Sequence, residues 1–187
     1  ALGDYQGAKT LLEKALRSDE KNFGADHPNT ARSYSNLATV LKTLGDYQGA
    51  KTLLEKALLS NEINFGADHP NTTIVSSNLA NLLSALGNYQ EAKTLLEKAL
   101  RYDEKNFGAN HPNTATLYSS LALVLKALGD YQGAKTLLEK ALRSDEKNFG
   151  ADHPTTAVDY SNLALVLQAL GDYQGAKTLL EKALRSD

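Results

Sequence analysis

The sequence contains no cysteine, no methionine and no tryptophan among its 187 residues. Without cysteine the chain has no disulfide, no thiol nucleophile and no thiolate ligand for zinc, and its redox compartment stays undetermined. Without methionine we expect the chain to be a piece or a processed product, so that any targeting segment would lie outside it. No apolar run approaches the length needed to cross a bilayer. A cytoplasmic location is our working expectation.

An excess of charge of one sign is also missing. The 20 Lys and Arg residues nearly balance the 22 Asp and Glu residues, which gives a net charge of -2. A nucleic-acid-binding surface needs clustered Lys and Arg, so we expect no nucleic-acid partner, and we expect no membrane partner either. The hydrophobic fraction of 42% is ordinary for a protein that buries a core.

Proline and histidine are rare, but they recur at a fixed interval. The four prolines each follow a histidine, and these histidines stand 42 residues apart at His27, His69, His111 and His153. Residues 169–187 repeat residues 1–19, and block 127–168 differs from block 1–42 at only five positions. A constant period of this length indicates a tandem-repeat architecture.

Each 42-residue block is predicted to form two helices. Pro28 suits the first position of a helix, where a backbone N–H would have no partner. Apolar residues at helical spacing follow as far as Leu44, and Gly45 should end this helix in a left-handed conformation. Asp46 should cap the second helix, which ends near Phe65. With no strand pattern anywhere, we expect nine helices and an all-α chain.

Four of the second helices carry glycine in their first turn: Gly7, Gly49, Gly133 and Gly175. Glycine at a helical position costs up to ~1 kcal/mol relative to alanine. Either it allows a neighbouring helix to approach closely, or it is simply copied with the repeat. The third second helix has Asn88 and Glu91 instead, which is the spacing of a capping box.

The order of residues within a block resembles the tetratricopeptide repeat. The residues that carry the resemblance are Tyr34, Leu37, Ala38, Leu41, Gly45, Tyr47, Ala50, Leu54 and Ala57. The usual period of that family is about 34 residues. The longer period here, together with the segments 36–38 and 24–28, resembles the long-helix, kinesin-light-chain type. One block departs from the pattern, because Ser76 replaces the first-helix tyrosine.

The resemblance implies an all-α, right-handed superhelical solenoid of antiparallel helix pairs. We predict one tandem-repeat domain over residues 1–187. Residues 1–24 would form the second helix of a truncated repeat, and the helix-pair repeats would span residues 25–66, 67–108, 109–150 and 151–187. Stacking of neighbouring pairs would bury the continuous core that one pair cannot form alone.

The resemblance also implies a binding site on the first helices, which line a concave groove in such repeats. There an asparagine just before Leu37 hydrogen-bonds the backbone of an extended peptide, and this position reads Asn36, Asn78, Ser120 and Asn162. An amide can both donate to and accept from a peptide group, and it can do so without contacting the side chain of the bound peptide residue. Alternatively, these amides cap or bond within the stack.

Neighbouring first-helix positions differ from block to block. Such variation is typical of a scaffold whose inner surface is adapted to its ligand, and relaxed drift of exposed positions would produce it as well. The further groove candidates are Arg32, Thr39, Asn81, Lys42 and Lys126. The charged residues counted on the groove are Arg32, Lys42, Lys126 and Asp159. We therefore expect a weakly charged groove that binds a neutral or partly apolar extended segment.

Metal and catalytic sites are not expected. The histidines lie one repeat apart, which is too far for two of them to reach one zinc ion, so we assign them to the loops and helix entries. Repetition assembles no nucleophile–base pair, so we expect no enzyme and no cofactor. Tyr47 and its copies fall on an apolar helix face and are predicted to pack in the core.

The sequence thus predicts a non-enzymatic protein–protein interaction scaffold that binds an extended peptide segment on its concave face. Two alternatives stay open. The first is a structural array that self-associates end to end through apolar faces of its terminal helices. The second is the sensor portion of a larger signalling protein.

Overall fold

Nine α-helices and no strand form residues 3–184, the part of the chain that the computed structural model describes. Residues 1–2 and 185–187, with which the predicted domain begins and ends, lie outside the described residues. In chain order the helices are α1 (Tyr5–Phe23), α2 (Pro28–Thr43), α3 (Tyr47–Phe65), α4 (Pro70–Ala85), α5 (Tyr89–Asn106), α6 (Pro112–Ala127), α7 (Tyr131–Phe149), α8 (Pro154–Ala169) and α9 (Tyr173–Ala183).

The chain divides into two compact units, residues 1–88 with α1 to α4 and residues 89–187 with α5 to α9. In each unit every helix packs against the next one along the chain. The connections are short, with residues 24–27 between α1 and α2 and residues 44–46 between α2 and α3. Short connections make successive helices antiparallel neighbours, as predicted.

The histidines begin the first helices as N-caps. His27 Nδ1 accepts a hydrogen bond from the Asn29 N–H at 3.1 Å, and Pro28 follows in the first turn of α2. The Phe23 ring stacks on the imidazole with the two centroids 4.8 Å apart. The same cap recurs at His69, His111 and His153. Each histidine therefore satisfies a backbone donor, which is a more specific role than the predicted helix entry.

The first-turn glycines make room for a capping carboxylate. Asp46 caps α3 by accepting a hydrogen bond from the Gly49 N–H at 2.8 Å. A Cβ atom on Gly49 would lie 2.5 Å from Asp46 Oδ2, which is too close. Gly7, Gly133 and Gly175 have the same environment. The space is taken by the cap of the same helix, so the suggested close approach of a neighbouring helix is not the reason for these glycines.

Buried tyrosines join successive helices. Tyr34 of α2 donates its hydroxyl to Glu20 Oε1 of α1 at 2.7 Å, and Lys56 Nζ of α3 lies 5.5 Å from the centre of its ring. Burial, together with the Glu20 carboxylate, raises the pKa of Tyr34 to about 12. Both contacts recur at Tyr118, with Glu104 and Lys140, and at Tyr160, with Glu146 and Lys182.

Buried threonines hold three of the loops between repeats. The hydroxyl of Thr30 donates to the Gly24 carbonyl at 2.7 Å, and Thr72 and Thr156 make the equivalent bond at 2.8 Å. Thr114 stands at the same register and is fully buried, but its hydroxyl has no partner within residues 3–184. The difference coincides with the end of α5 at Asn106, one residue earlier than in the other copies.

The threonine series gives a stability prediction with an internal control. Thr30→Val and Thr156→Val should each lower the free energy of unfolding by about 1 kcal/mol, because the Gly24 and Gly150 carbonyls lose the hydrogen bond from a buried hydroxyl. Thr114→Val should be neutral or slightly stabilising, because a methyl group replaces a buried hydroxyl without a partner. Urea unfolding followed by circular dichroism measures the three changes. Equal losses at all three positions would contradict the assignment.

Candidate functional site

Two clefts lie between α2 and α4 in the first unit. The larger, of about 300 Å³, is lined by Ile74 and Val75 and by the polar side chains of Asn29, Arg32, Ser35, Asn61, Asn71 and Asn78. The smaller, of about 140 Å³, lies further along the two helices and is lined by Ala38, Thr39, Lys42, Leu54, Asn78 and Asn81. Because Asn78 lines both clefts, we treat them as one surface, the α2–α4 groove.

Most of the predicted binding residues of this unit lie in the α2–α4 groove. The exposed members are Arg32, Thr39, Lys42, Asn78 and Asn81. Asn36 is exposed but lines neither cleft. Since Asn78 occupies the same register of α4 and faces back toward α2, Asn36 faces away from α4.

In the second unit the corresponding surface, the α6–α8 face, is more apolar. The helices α6 and α8 approach each other directly. Lys126 and Asn162 are half-buried there, whereas Ser120, also half-buried, has the register of Asn36 and so faces away from α8. Beside them Leu123, Val158 and Leu165 are exposed to 38%, 58% and 49%. The two units therefore present first-helix faces of different polarity.

The predicted recognition side chains, three asparagines and one serine, make no hydrogen bonds within the described part of the protein. Within residues 3–184, the side chains of Asn36, Asn78, Ser120 and Asn162 have no hydrogen-bond partner. Second-helix asparagines behave differently, since each of the following donates to another group of the chain: Asn22, Asn64, Asn106 and Asn148. The alternative in which the first-helix amides cap or bond within the stack is thus not what the described residues show.

Asn61 is a cleft residue that the sequence analysis missed. It is buried at the base of the larger cleft, and its Nδ2 donates to the Asn71 carbonyl at 3.2 Å. A signal was present in the sequence, because the same register reads Asp19, Asn61, Asp103 and Asp145. Asn61 is the one neutral copy, and it follows that the base of this cleft carries no negative charge.

Asp159 was wrongly counted as a groove charge. It is buried between α7 and α8, and the Ser119 hydroxyl donates to its Oδ1 at 2.9 Å. Val158, one residue earlier, is exposed, so the two neighbours lie on different faces of α8. The charged residues left at the predicted groove positions are the cations Arg32, Lys42 and Lys126.

The second-helix tyrosines were also misassigned. Tyr47 is 43% exposed, its copies Tyr5, Tyr131 and Tyr173 are exposed as well, and Tyr89 is half-buried. These tyrosines stand at the first residue of their helices, beyond the packed turns. The core aromatic of a helix pair is instead the first-helix tyrosine, such as Tyr34.

Residues 3–184 contain neither a cluster of metal ligands nor a membrane-spanning helix. No three His, Asp or Glu side chains in that range are close enough together to hold a metal ion. None of the nine helices is long and apolar enough to cross a membrane.

Comparison with known proteins decides the family. The tetratricopeptide-repeat profile matches residues 1–59, 44–105, 71–147 and 113–187, which together span the chain. The chain belongs to the tetratricopeptide-repeat family. No curated protein matches its sequence.

Solved structures agree with this family. The nearly identical TPR-like repeats of a putative kinesin light chain from Podosopora anserina are 30% identical, with a TM-score of 0.85 over 98% of this chain and 87% of that one. A point variant of the same repeats gives a TM-score of 0.87 over the same shares of the two chains. BtubC (BKLC) from P. vanneervenii is similar in fold, with 23% identity and a TM-score of 0.87 over 98% of this chain and 73% of that one.

The predicted all-α fold and the kinesin-light-chain-like type of repeat are thereby confirmed. Tetratricopeptide-repeat proteins generally mediate protein–protein interactions and bind protein partners, and the family is typically a non-enzymatic scaffold.

Proposed function

We propose that this chain is a non-enzymatic interaction module that binds an extended segment of a partner protein along its first helices. Each unit would provide its own contacts, the first through the α2–α4 groove and the second through the α6–α8 face. The observation that carries the proposal is the set of first-helix side chains without an internal partner: Asn36, Asn78, Ser120 and Asn162.

The unpaired amides suit recognition of a peptide backbone. A carboxamide offers an acceptor and two N–H donors, so it can pair with both polar groups of one peptide bond. Asn78 lies where the two clefts of the α2–α4 groove meet, within reach of a chain lying along both. A polar group left unpaired on burial costs about 1–3 kcal/mol. The amides would therefore favour a segment whose backbone is not already used in a helix.

The surroundings of the amides favour a neutral or partly apolar segment. Ile74, Val158 and Leu165 expose apolar surface beside the binding positions. Arg32 and Lys42 line different clefts, so they do not converge on one carboxylate as a clamp would. Buried apolar area would supply most of the affinity, and the amides would set the direction and register of the chain.

The amide proposal is tested on peptides selected against the chain from a random display library. Replacing Asn36, Asn78 and Asn162 by Ala together should weaken binding at least about tenfold, since each lost hydrogen bond is worth about 1 kcal/mol. N-methylation of the peptide backbone should weaken binding in the same way, because it removes the backbone N–H that would donate to the asparagine side-chain oxygens. Fluorescence anisotropy gives the affinities.

Asn22→Ala is the matched control, since it removes an exposed second-helix amide and should leave binding unchanged. The triple variant should be at least as stable to heat as the unchanged chain, because the three side chains have no internal partner and alanine has the higher helix propensity. Full affinity in the triple variant would exclude the amides as the binding groups. A selection that returned only strongly acidic C-terminal sequences would contradict the expected peptide class.

Self-association is a second candidate, favoured by the exposed face of α9. Leu180 and Leu184 are exposed to 44% and 74%, whereas Leu138 and Leu142 at the same registers of α7 are exposed to 0% and 9%. Exposed apolar helix faces of this kind commonly mark sites of association. A second copy of the chain would cover these leucines in an end-to-end contact.

Sedimentation velocity over an about hundredfold concentration range tests the second candidate. Self-association predicts species that grow with concentration, and Leu180→Glu with Leu184→Glu should reduce them to a monomer of 20.2 kDa. Leu165→Glu, on the α6–α8 face, is the control that should leave the end-to-end contact intact. A single species of monomer size at all concentrations would exclude this candidate.

A further inference from the structure

Two buried carboxyl groups face each other between α7 and α8. Asp145 of α7 is 5% exposed and Asp159 of α8 is 3% exposed, and their side chains are within hydrogen-bonding distance. Ser119 of α6 donates to Asp159 Oδ1 at 2.9 Å. Asp145 Oδ1 and Asp159 Oδ2 are buried, and no backbone or side-chain N–H and no hydroxyl of residues 3–184 donates to them. These two oxygens therefore lack a donor as long as both groups are ionised.

The other repeats fill the same two positions differently. Between α1 and α2 the Ser33 hydroxyl donates to Asp19 Oδ2 at 2.5 Å, so an acid meets a neutral donor. The corresponding residues are Asn61 and Val75 in the next copy and Asp103 and Leu117 in the third. Two acids meet only in the copy formed by α7 and α8. The contact between Asp19 and Ser33 thus provides an internal comparison in which one of the two acids is replaced by a neutral donor.

One proton resolves the conflict between the two acids. Two carboxylates removed from water and held together cannot both ionise without a large electrostatic cost. If Asp159 is protonated, its O–H donates to Asp145 and supplies the donor that the buried oxygens lack. Burial raises the pKa of Asp159 to about 7; the Ser119 hydrogen bond opposes this, and the Asp145 carboxylate adds to it.

The charged groups around Asp145 and Asp159 do not fully offset the electrostatic cost of burying the two carboxylates. Burial also raises the pKa of Asp145, against the hydrogen bond from Asp159 and the charge of His153, the N-cap of α8. On α6 the neighbouring group is the uncharged Ser119. On α9 Lys182 lies over the Tyr160 ring. The groups that shift the pKa of Asp159 are Ser119 and Asp145, so no cation offsets its burial.

We propose that Asp145 and Asp159 form a proton-sharing pair that makes the packing of α7 against α8 sensitive to pH. The shared proton holds the two helices together in mildly acidic solution, and its loss leaves two buried like charges that push them apart. Val158 precedes Asp159 on the exposed side of α8, and Asn162 follows one turn later. Loosening of α8 therefore disturbs the α6–α8 face directly.

The sign of the effect follows from proton linkage. Below the ordinary aspartate pKa of about 3.9, Asp159 is protonated in both the folded and the unfolded chain. From there up to about 7 the folded chain keeps a proton that the unfolded chain has released. The free energy of unfolding that the pair contributes therefore falls as pH rises through this window, and the loss is complete above it.

Urea unfolding between about pH 5 and pH 8, compared between the unchanged chain and Asp159→Ser, tests the proposal. The variant recreates the Ser33–Asp19 contact, so it should fold. The ratio of unfolding constants, unchanged chain over variant, should rise by up to about tenfold per pH unit below pH 7 and then level off. The reciprocal change Ser33→Asp should add a second pH dependence of the same sign, weaker because Ser33 and Asp19 are half-buried rather than buried.

Hydrogen exchange and carboxyl NMR locate the effect. After correction for intrinsic rates, amides of α7 and α8 should exchange faster at about pH 8 than at about pH 5.5, and this difference should vanish in Asp159→Ser. Amides of α2 and α3 should show no such change. An unfolding-constant ratio that does not vary with pH, or a carboxyl signal of Asp159 titrating near pH 4, would overturn the proposal. Neither readout uses a peptide ligand, so failure here is distinct from failure of the groove.

Discussion

The arrangement of these repeats depends on a buried first-helix tyrosine, present in three of the four first helices. We call the packing of a first helix against the second helices before and after it a joint. The Tyr34 ring adds a large apolar area to the core, but its hydroxyl needs an acceptor. Glu20 on the preceding helix supplies that acceptor, and Lys56 on the following helix covers the ring. One side chain thus links three successive helices, so a repeat reaches its stable packing only when its neighbour is in place. Ser76 takes this position in α4, where the joint lacks the aromatic anchor.

Because the joints use the second helices and the packed side of the first helices, the exposed side of the first helices is free to vary. Blocks 1–42 and 127–168 differ at five positions, all within the first helix. Four of these positions are exposed in both copies; they carry Asn29, Arg32, Thr39 and Lys42 in the first block. The fifth exchanges Ser33 for Asp159 and is the one that changes a buried contact. Between the two blocks, four exposed side chains and one buried contact therefore differ, while the remaining residues are the same.

Local chemistry made most of the fold predictable from sequence. Pro28, Gly45 and Asp46 mark helix ends by their backbone preferences alone, and the structure places the ends at or next to them. The cap formed by His27 was missed because it depends on the detailed backbone path that brings Nδ1 to the Asn29 N–H. Tyr47 was misplaced because a periodic pattern does not show where a helix extends beyond its packed turns. The recognition amides were found only through the family resemblance, since an exposed asparagine has no distinctive periodicity.

Asp159 shows that the periodicity of a single helix is not enough to decide which of its residues are buried. A single step around a helix separates exposed Val158 from buried Asp159, and periodicity within α8 alone does not show which of them meets α7. A longer spacing carries that information. The bonds from Ser33 to Asp19 and from Tyr34 to Glu20 both join residues 14 positions apart, across the same joint. Asp145 and Asp159 have this offset too, so comparing residues in pairs across joints identifies them as partners. In a tandem array each joint repeats the same pairs of positions, and a joint that places two acids at such a pair is recognisable from the sequence.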